Sequence, residues 1–374
     1  MTRFEVVARS GSARIGRLDT EHGIVETPAF MPVGTAGAVK GLTPRDLREC
    51  GAEILLANVY HLFLRPGIET VRVLGGLHRF MGWAGPLLTD SGGYQVFSLA
   101  PLAKVSDDGV VFRSHIDGSR HMLRPEDVVE LQIGLGVDVG MVLDECLPYS
   151  APPGAVTTAV ARTTSWAERS LEARGAQRTA FFAIVQGAAD LGLREHSACD
   201  LIALGFEGYA VGGLGVGEDP ETTRRVAAHT VGVLPEGQPR YLMGLGRPVD
   251  LLDFVAMGYD LFDCVLPTRN GRNGSLFTWA GSLAVRNARY ARDPRPVDEQ
   301  CGCYTCRSFS RGYLRHLAVT GDMLSGVLNT MHNVHFYLDL MQAARRAVAD
   351  GRLDALRSSI AVAYEDAREE SDAG

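Results

Sequence analysis

The chain has 374 residues, of which 46% are hydrophobic and 22% charged, and its formal net charge is −7. This composition is that of an ordinary globular protein with a large buried core. No apolar run reaches the roughly 18 residues that cross a bilayer, which excludes a membrane protein of the helical type. The first residues lack a basic segment followed by an apolar stretch, so we expect no secretion signal and a cytoplasmic location.

Eight short apolar runs recur along the chain, each followed by turn residues and most of them by a helical pattern. They cover residues 28–34, 53–59, 86–90, 138–144, 180–187, 208–214, 240–246 and 260–267. The runs lack strict alternation of apolar and polar residues, which is typical of parallel strands buried on both faces. Eight such strands separated by helices predict an α/β protein with a (β/α)8 barrel, one catalytic domain over residues 1–374.

Helix starts are readable between these runs, because proline fits the first helical position, where its missing donor has no partner. Such starts occur at Thr43-Pro44, Arg124-Pro125 and Asp219-Pro220. Helix-like apolar spacing covers 154–174, 189–204 and 248–257. The long interval 90–138 contains FRSHIDGSRHML, which favours an inserted hairpin, and the acidic segment from Asp354 onward is expected to be frayed.

Several predicted strands end in polar or reactive residues. In a (β/α)8 barrel, catalytic groups lie at the C-terminal ends of the strands. Those ends supply Asp90, Asp144, Gln186, Gly213, Met243 and Asp263. A single aspartate there is more often a turn or capping residue, but the coincidence of six such residues predicts an active site.

Three of the seven cysteines fall within six residues, at Cys301, Cys303 and Cys306. A disulfide framework is not expected in a reducing compartment, whereas three thiolates and one imidazole form the closed shell of a structural zinc site. The candidates for the fourth ligand are His316, His332 and His335. The alternatives are three free thiols, which are prone to oxidation, and the catalytic zinc of a deaminase, which needs an H-x-E segment that this chain lacks.

The charge is distributed unevenly. Residues 269–316 contain nine arginines and three acidic residues, so this stretch carries +6 and the remainder must carry −13 to give the total of −7. A solvated surface is the simplest interpretation. A basic surface for nucleic acid is the alternative, despite the acidic total.

Seven segments together resemble the signature segments of bacterial-type tRNA-guanine transglycosylases, members of the queuine tRNA-ribosyltransferase family, in the same order from about residue 25 to 345. They are TDSGGYQVFSL (89–99), LDEC (143–146), VGGLGVGE (211–218), RYLMGLG (240–246), FDCVLPTRNGRNG (262–274), CGCYTC (301–306) and TMHNVHFY (330–337). The resemblance implies an irregular (β/α)8 barrel with an inserted zinc-binding subdomain at 286–345, one structural Zn2+ ion bound by Cys301, Cys303, Cys306 and His332, and a homodimer. Gly215 and Gly302 depart from the family pattern without touching these residues.

The same resemblance implies that Asp263 is the nucleophile and Asp90 the general acid/base. Exchange of a nucleobase through a covalent sugar–enzyme intermediate divides one difficult displacement into two easier ones. Asp263 could also pair with Arg269 or Arg272. The residues implied to bind the base are Ser91, Tyr94, Asp144, Gln186, Gly213, Leu214, Glu218 and Met243.

The implied partner is the anticodon stem-loop of a tRNA, with a 7-deazaguanine base as small-molecule substrate. Arg269, Asn270, Arg272 and Asn273 would read bases next to the target, and Arg286, Arg289, Arg292 and Arg295 would bind phosphates. The absence of a further C-terminal RNA-binding domain favours the wobble position as the target. Cys146 and Val216 favour 7-aminomethyl-7-deazaguanine over queuine as the incoming base.

Three other functions compete with this one. A non-catalytic RNA-binding partner subunit would lack the nucleophile or the acid/base, yet both Asp263 and Asp90 are present. A glycoside hydrolase would need two carboxylates flanking the bond and access for water, and would not explain Asp144 and Gln186. A dinucleotide-binding protein would need the G-x-G-x-x-G spacing, which the GGLGVG segment lacks.

Overall fold

The computed structural model describes residues 2–98 and 103–372, and its centre is a parallel β-barrel. Barrel strands 1 to 8 are Ala29–Pro32, Leu55–Asn58, Leu87–Asp90, Val139–Met141, Ala180–Val185, Gly208–Val211, Arg240–Leu242 and Leu261–Cys264. Strand 8 pairs with strand 1, and a parallel bridge between Val33 and Leu56 joins strand 1 to strand 2. The sheet therefore closes, and all eight predicted strands are confirmed.

The pattern within the strands follows from burial on both faces. In strand 5, Phe182 and Ile184 pack in the cluster inside the barrel, while Phe181, Ala183 and Val185 pack in the cluster between the barrel and its helices. Both faces therefore require apolar side chains, which is why the sequence shows continuous runs instead of alternation.

The helices begin where the proline pattern predicted. Thr43 and Asp219 cap helices that start at Pro44 and Pro220, each accepting a hydrogen bond from a backbone N–H of the first turn. The helices are Pro44–Glu49, Val59–Leu64, Ile68–Val73, Gly76–Met81, Gly93–Ser98, Pro125–Leu135, Pro153–Arg174, Leu191–Leu204, Pro220–Val233, Pro248–Met257, Leu266–Asn273, Tyr304–Ser308, Arg311–Thr320, Met323–Ala349 and Leu353–Asp372. Within the described ranges, none of them is long and apolar enough to span a membrane.

Three small antiparallel sheets surround the barrel. Their strands are Arg3–Ser10, Ala13–Thr20 and Gly23–Thr27 at the N-terminus, Ala103–Ser106, Gly109–Arg113 and Arg120–Leu123 after strand 3, and Ser275–Thr278 with Gly281–Ala284 after strand 8. The predicted hairpin in the 90–138 interval is present, and a third strand precedes it.

The expectation of a frayed C-terminal segment is wrong for most of its length. Residues Leu353–Asp372 form a helix, and Ile360 is buried against the outer layer of the barrel. Its apolar residues recur at helical spacing and find a partner surface there. The acidic composition of the segment obscured this pattern.

The long helix Met323–Ala349 connects the cysteine-rich segment to the barrel. Its Phe336 and Tyr337 side chains pack in the main core, and the Tyr337 hydroxyl donates to the Gly246 carbonyl at 2.6 Å. The helix crosses Leu266–Asn273 closely, because a Cβ at Gly271 would lie 2.8 Å from the backbone of Thr330. Residues after strand 8 are thus held against the barrel.

Candidate active site and metal centre

Three carboxylates, two of them on strands 3 and 8 and one just after strand 4, open into one cavity of about 250 Å3 at the C-terminal end of the barrel. The structure brings together there eight of the residues predicted from the sequence: Asp90, Tyr94, Asp144, Gln186, Gly213, Leu214, Met243 and Asp263. Ser91 is fully buried next to Asp90 and accepts a hydrogen bond from Gly93. Glu218 contacts the loop that follows strand 6 from outside the cavity.

Asp90 occupies the last position of strand 3. Burial, followed by the neighbouring carboxylates of Asp144 and Asp263, raises the pKa of Asp90 to about 7. Asn58, at the end of strand 2, donates its side-chain N–H to Oδ2 of Asp90 at 2.9 Å. A carboxyl group with a pKa near neutrality exchanges a proton readily in both directions, which suits a general acid/base.

Asp263 is held by hydrogen bonds to one of its two oxygens. Oδ1 accepts from the Tyr241 hydroxyl at 2.6 Å and from the Gly244 N–H at 2.8 Å. Burial raises the pKa of Asp263, and these two hydrogen bonds oppose the rise. Among the described residues, neither Arg269 nor Arg272 pairs with Asp263, so the alternative of an ion pair is wrong.

Asp144 and Gln186 form a hydrogen-bonded pair that lines the same cavity. Gln186 donates to Oδ2 of Asp144 at 2.7 Å, and burial raises the pKa of Asp144 to about 6. A Cβ at Gly93 would lie 2.0 Å from Oδ1 of Asp144, and one at Gly213 would lie 2.4 Å from Oε1 of Gln186. Glycine is required at both positions to keep these side chains within the site.

The loop after strand 6 is fixed by Glu218. Its carboxylate accepts from the N–H groups of Gly215 and Val216, the latter at 3.0 Å, and from the Thr223 hydroxyl at 2.8 Å. The Gly215 N–H and the Leu214 carbonyl belong to one planar peptide. Holding the N–H therefore fixes the direction of the Leu214 carbonyl at the cavity wall.

Asn58 and Tyr241 line the cavity as well, and the sequence reasoning missed both. Asn58 ends strand 2, so the rule applied to the other strand ends would have found it. Tyr241 is the middle residue of the three in strand 7, and its side chain faces the barrel interior. Nothing in the sequence indicates which residue of such a short strand faces inward.

Most arginines of the basic stretch are exposed, whereas Arg311 and Arg315 are half-buried. Arg269 and Arg272 lie on the helix Leu266–Asn273 directly after strand 8, with Asn270 partly buried between them. The exposed residues further along are Asn273, Arg286, Arg289, Arg292 and Arg295. Arg289 packs over the Tyr290 ring, and Arg295 pairs with Asp293 at 2.8 Å.

The cysteine cluster forms a possible metal centre. Cys301, Cys303, Cys306 and His332 are buried, and their ligand atoms lie within 4.8 Å of one another. The distances from His332 Nδ1 to the three sulfurs are 3.7, 3.7 and 3.3 Å. Metal bonds of about 2.3 Å to sulfur and 2.0–2.1 Å to nitrogen require tetrahedral edges of about 3.6 Å, so this set fits a divalent ion.

The orientation of the His332 ring supports the same conclusion. Its Nε2 lies 2.7 Å from the Phe277 carbonyl, a contact that places the proton on Nε2 and leaves Nδ1 free to bind a metal. His335 lies at the margin, with its Nδ1 3.5 Å from Cys301 Sγ. His316 is exposed on the helix Arg311–Thr320, away from the cluster.

A closed parallel barrel with three carboxylates and an amide at its C-terminal face defines an enzyme of the (β/α)8 class. Comparison with known proteins identifies which one. A family model described as Queuine tRNA-ribosyltransferase matches residues 9–366. Similar curated proteins carry the same name in Moorella thermoacetica, 53% identical over 92% of this chain and 93% of the relative, and in Desulforudis audaxviator, 53% identical over 96% and 98%.

A third relative, from Zymomonas mobilis, is 49% identical over 96% of this chain and 95% of its own length, and is also named Queuine tRNA-ribosyltransferase. The chain belongs to the queuine tRNA-ribosyltransferase family and is an enzyme of the pentosyltransferase type. The resemblance drawn from the signature segments is thereby confirmed.

Proposed function

We propose that this enzyme exchanges the guanine at the wobble position of a tRNA anticodon for 7-aminomethyl-7-deazaguanine, a step of queuosine biosynthesis. The observation that carries the proposal is the set of three carboxylates in one cavity, each in a different environment. Asp263 is anchored through one oxygen, Asp90 has a pKa of about 7, and Asp144 is paired with an amide. A nucleophile, a proton carrier and a base-recognition group require these three environments.

In the first half of the reaction, Asp263 attacks C1′ of the ribose through the oxygen that Tyr241 and Gly244 leave free. A bond forms between that oxygen and C1′, and the bond from C1′ to the purine nitrogen breaks. The bonding electrons leave with the guanine. Asp90, protonated below a pH of about 7, supplies the proton that neutralises the departing base.

The second half reverses these steps with a different base. The incoming deazaguanine transfers its ring N–H proton to the Asp90 carboxylate, and its nitrogen attacks C1′ of the covalent intermediate. The C1′ bond to Asp263 breaks, and the electrons return to the carboxylate. Both aspartates regain their initial protonation states, so one proton carrier serves both halves.

Base recognition is assigned to Asp144, Gln186 and the loop after strand 6, which line the same cavity. A carboxylate accepts two neighbouring N–H groups, so Asp144 fits the ring N–H and exocyclic amine of guanine. Gln186 and the Gly213 N–H can donate to the carbonyl oxygen, and Tyr94 and Met243 lie where they can cover the ring. The Leu214 carbonyl, fixed by Glu218, can accept from an aminomethyl substituent. Cys146 and Val216 line the same cavity and favour this smaller base over queuine.

The anticodon stem-loop is the proposed RNA partner. The names of the curated relatives refer to tRNA, and Arg269 and Arg272 are exposed about one and two turns along the helix that follows strand 8. Arg286 and Arg289 extend the basic surface and are the proposed phosphate contacts. The presence of both Asp90 and Asp263 in the cavity speaks against a non-catalytic partner subunit.

We further propose that the Cys3His cluster binds one structural Zn2+ ion and completes a subdomain at 286–345 within a single catalytic domain. Four protein ligands close the tetrahedral shell, so the ion would contribute stability and not chemistry. A homodimer is proposed from the family resemblance. A cytoplasmic location is part of the same proposal.

The decisive experiment is incubation with an anticodon stem-loop RNA, followed by denaturing electrophoresis. The wild-type protein should form a covalent protein–RNA adduct, and Asp263→Asn should not. Asp219→Asn is the matched control: this carboxylate caps a helix outside the cavity, and asparagine caps equally well. An adduct in Asp263→Asn would require another nucleophile. Incorporation assays with 7-aminomethyl-7-deazaguanine and queuine then decide the incoming base.

A further inference from the structure

A buried arginine lies directly beneath the base-recognition wall. Arg194, on the helix Leu191–Leu204, has no exposed surface. Its guanidinium donates to the backbone carbonyls of Val185 at 3.0 Å and Ala188 at 2.9 Å, which flank Gln186 at the end of strand 5 and on the loop after it. The same group therefore lies under a part of the chain that we propose contacts the base.

The guanidinium also reaches the neighbouring loop. It donates to the carbonyl of Gly212 at 2.7 Å and to that of Gly213 at 3.3 Å. One side chain thus joins the ends of strands 5 and 6, whose residues Gln186 and Gly213 line the cavity side by side. The loop conformation depends on these bonds, since Ala188 has a positive φ of 48° and Gly213 one of 64°.

Arg194 keeps a positive charge that no carboxylate neutralises by direct contact within the described part of the chain. Its hydrogen bonds all go to backbone carbonyls. Burial lowers the pKa of Arg194 to about 10, so the group stays charged at neutral pH. A buried charge is costly to maintain even when carbonyl oxygens surround it, and Arg194 lies beside a site where, in the proposed reaction, a base departs with a negative charge.

The peptide between Gly212 and Gly213 connects the charge of Arg194 to the cavity. Its carbonyl points to Arg194, and in a planar trans peptide the N–H points in the opposite direction. A cation bound to the carbonyl polarises the peptide and makes the Gly213 N–H a stronger donor. We propose that Arg194 is a positioning residue that orients and polarises the Gly213 N–H toward the carbonyl oxygen of guanine, and so stabilises the base as it leaves.

This inference rests on the proposed guanine exchange and adds a residue to it. The probes are guanine and 6-thioguanine, which keeps the ring N–H and the amine but replaces the carbonyl oxygen by a weaker acceptor. The variants are Arg194→Lys, which keeps the charge with fewer donors, and Arg194→Gln, which removes the charge. Dissociation constants are measured by calorimetry for each base, with thermal melting to confirm folding.

We expect the wild-type preference for guanine over 6-thioguanine to fall about twofold in Arg194→Gln, because polarisation of the peptide strengthens the Gly213 hydrogen bond by only about 10–30%. The preference of the Arg194→Lys variant should lie between that of the wild type and that of Arg194→Gln. Arg240→Lys is the matched control: Arg240 is also buried and bonded to the carbonyls of Leu234 and Pro235, but it lies at the start of strand 7, at the far end of the barrel.

Equal weakening of both bases in the Arg194 variants would show a purely structural role and overturn the inference. A change of preference in Arg240→Lys as large as that in Arg194→Lys would overturn it too. Failure of the wild-type protein to bind guanine would instead overturn the proposed function, and this inference with it. Guanine binding by the wild type with an unchanged preference in both variants separates the two cases, since it overturns the inference alone.

Discussion

The hydroxyl of Tyr241 donates a 2.6 Å hydrogen bond to Oδ1 of Asp263 from the adjacent barrel strand. Burial and the nearby Asp263 and Asp90 carboxylates raise the pKa of Tyr241 well above its usual value, so the hydroxyl keeps its proton. The bond holds one carboxylate oxygen and leaves the other to react. The orientation of Asp263, the proposed nucleophile, is therefore set by a neighbouring strand and not by its own segment.

Tyr241→Phe should slow formation of the covalent RNA adduct by roughly tenfold to a hundredfold, because Asp263 loses a charge-assisted hydrogen bond that fixes its orientation. Single-turnover kinetics with a stem-loop RNA measure the rate. Tyr259→Phe is the control, since Tyr259 also loses a buried hydrogen bond, to the Ala227 carbonyl, outside the cavity. Equal rates in the two variants would contradict the role of Tyr241.

The rate of guanine release should depend on the protonation of Asp90, whose pKa is about 7. The proposed first half-reaction needs the protonated form, so the single-turnover rate should be high at pH 6 and fall as the pH rises through about 7. In Asp144→Asn one of the carboxylates that raise this pKa is lost, and the fall should begin at lower pH. An identical profile in the two proteins would speak against Asp90 as the acid.

Asp90→Asn should abolish exchange and stabilise the fold. The pKa of Asp90 is raised in the folded state, so that state binds more protons than the unfolded chain between pH 4 and 7, and stability falls as the pH rises through this window. Asparagine carries no charge and therefore removes the free-energy cost of ionising a buried carboxyl group. The increase in unfolding free energy of Asp90→Asn over the wild type, measured by chemical denaturation, should be small at pH 4 and reach up to about 4 kcal/mol at pH 8.

The pKa of Asp138 is shifted in the opposite direction to that of Asp90. Burial raises its pKa, but hydrogen bonds from His78 and His22 outweigh this and lower the pKa to about 2. This carboxylate therefore contributes stability above pH 4, which is lost as the pH falls toward 2. Asp138→Asn should destabilise the protein at neutral pH, and the two variants should differ in the sign of the change in unfolding free energy.

Metal removal should disorder the cysteine-bearing segment 286–322 and leave the barrel folded, because the long helix that follows stays packed in the main core through Phe336 and Tyr337. The four ligands join the cysteine segment to the long helix, and without the ion three thiols are packed around one imidazole. Hydrogen–deuterium exchange with and without a chelator measures the effect, and Cys306→Ser should reproduce it. Cys199→Ser, at an exposed cysteine outside the cluster, is the control. Unchanged exchange after complete metal removal would exclude a structural role.

Gly271→Ala should weaken RNA binding and reduce stability by about 1–3 kcal/mol. The new Cβ would lie 2.8 Å from the Thr330 backbone, so the helix carrying Arg269 and Arg272 must move away from Met323–Ala349. Gly232→Ala is the control, because that helical glycine has no atom within 4 Å of the added carbon. Denaturation and a stem-loop binding assay report both effects, and matching behaviour of the two variants would contradict the packing argument.

Local patterns in the sequence were sufficient for much of the architecture. Continuous apolar runs mark strands buried on both faces, and Pro44 and Pro220 mark helix starts, because both signals depend only on neighbouring residues. The C-terminal helix was missed since its stability comes from packing of Ile360 against the barrel. The choice of His332 over His335 came from the family resemblance, and only the fold shows the second bond, to Phe277, that orients the ring.

The sequence by itself determined which chemical groups are present: the aspartates at the strand ends, the cysteine cluster and the arginine-rich stretch. Tertiary structure alone decided how those groups behave. Asp90 has a pKa of about 7 because the fold buries it and places Asp144 and Asp263, 54 and 173 positions away in the sequence, beside it in the same cavity. Electrostatic interaction depends on distance and burial, and neither can be read along the chain.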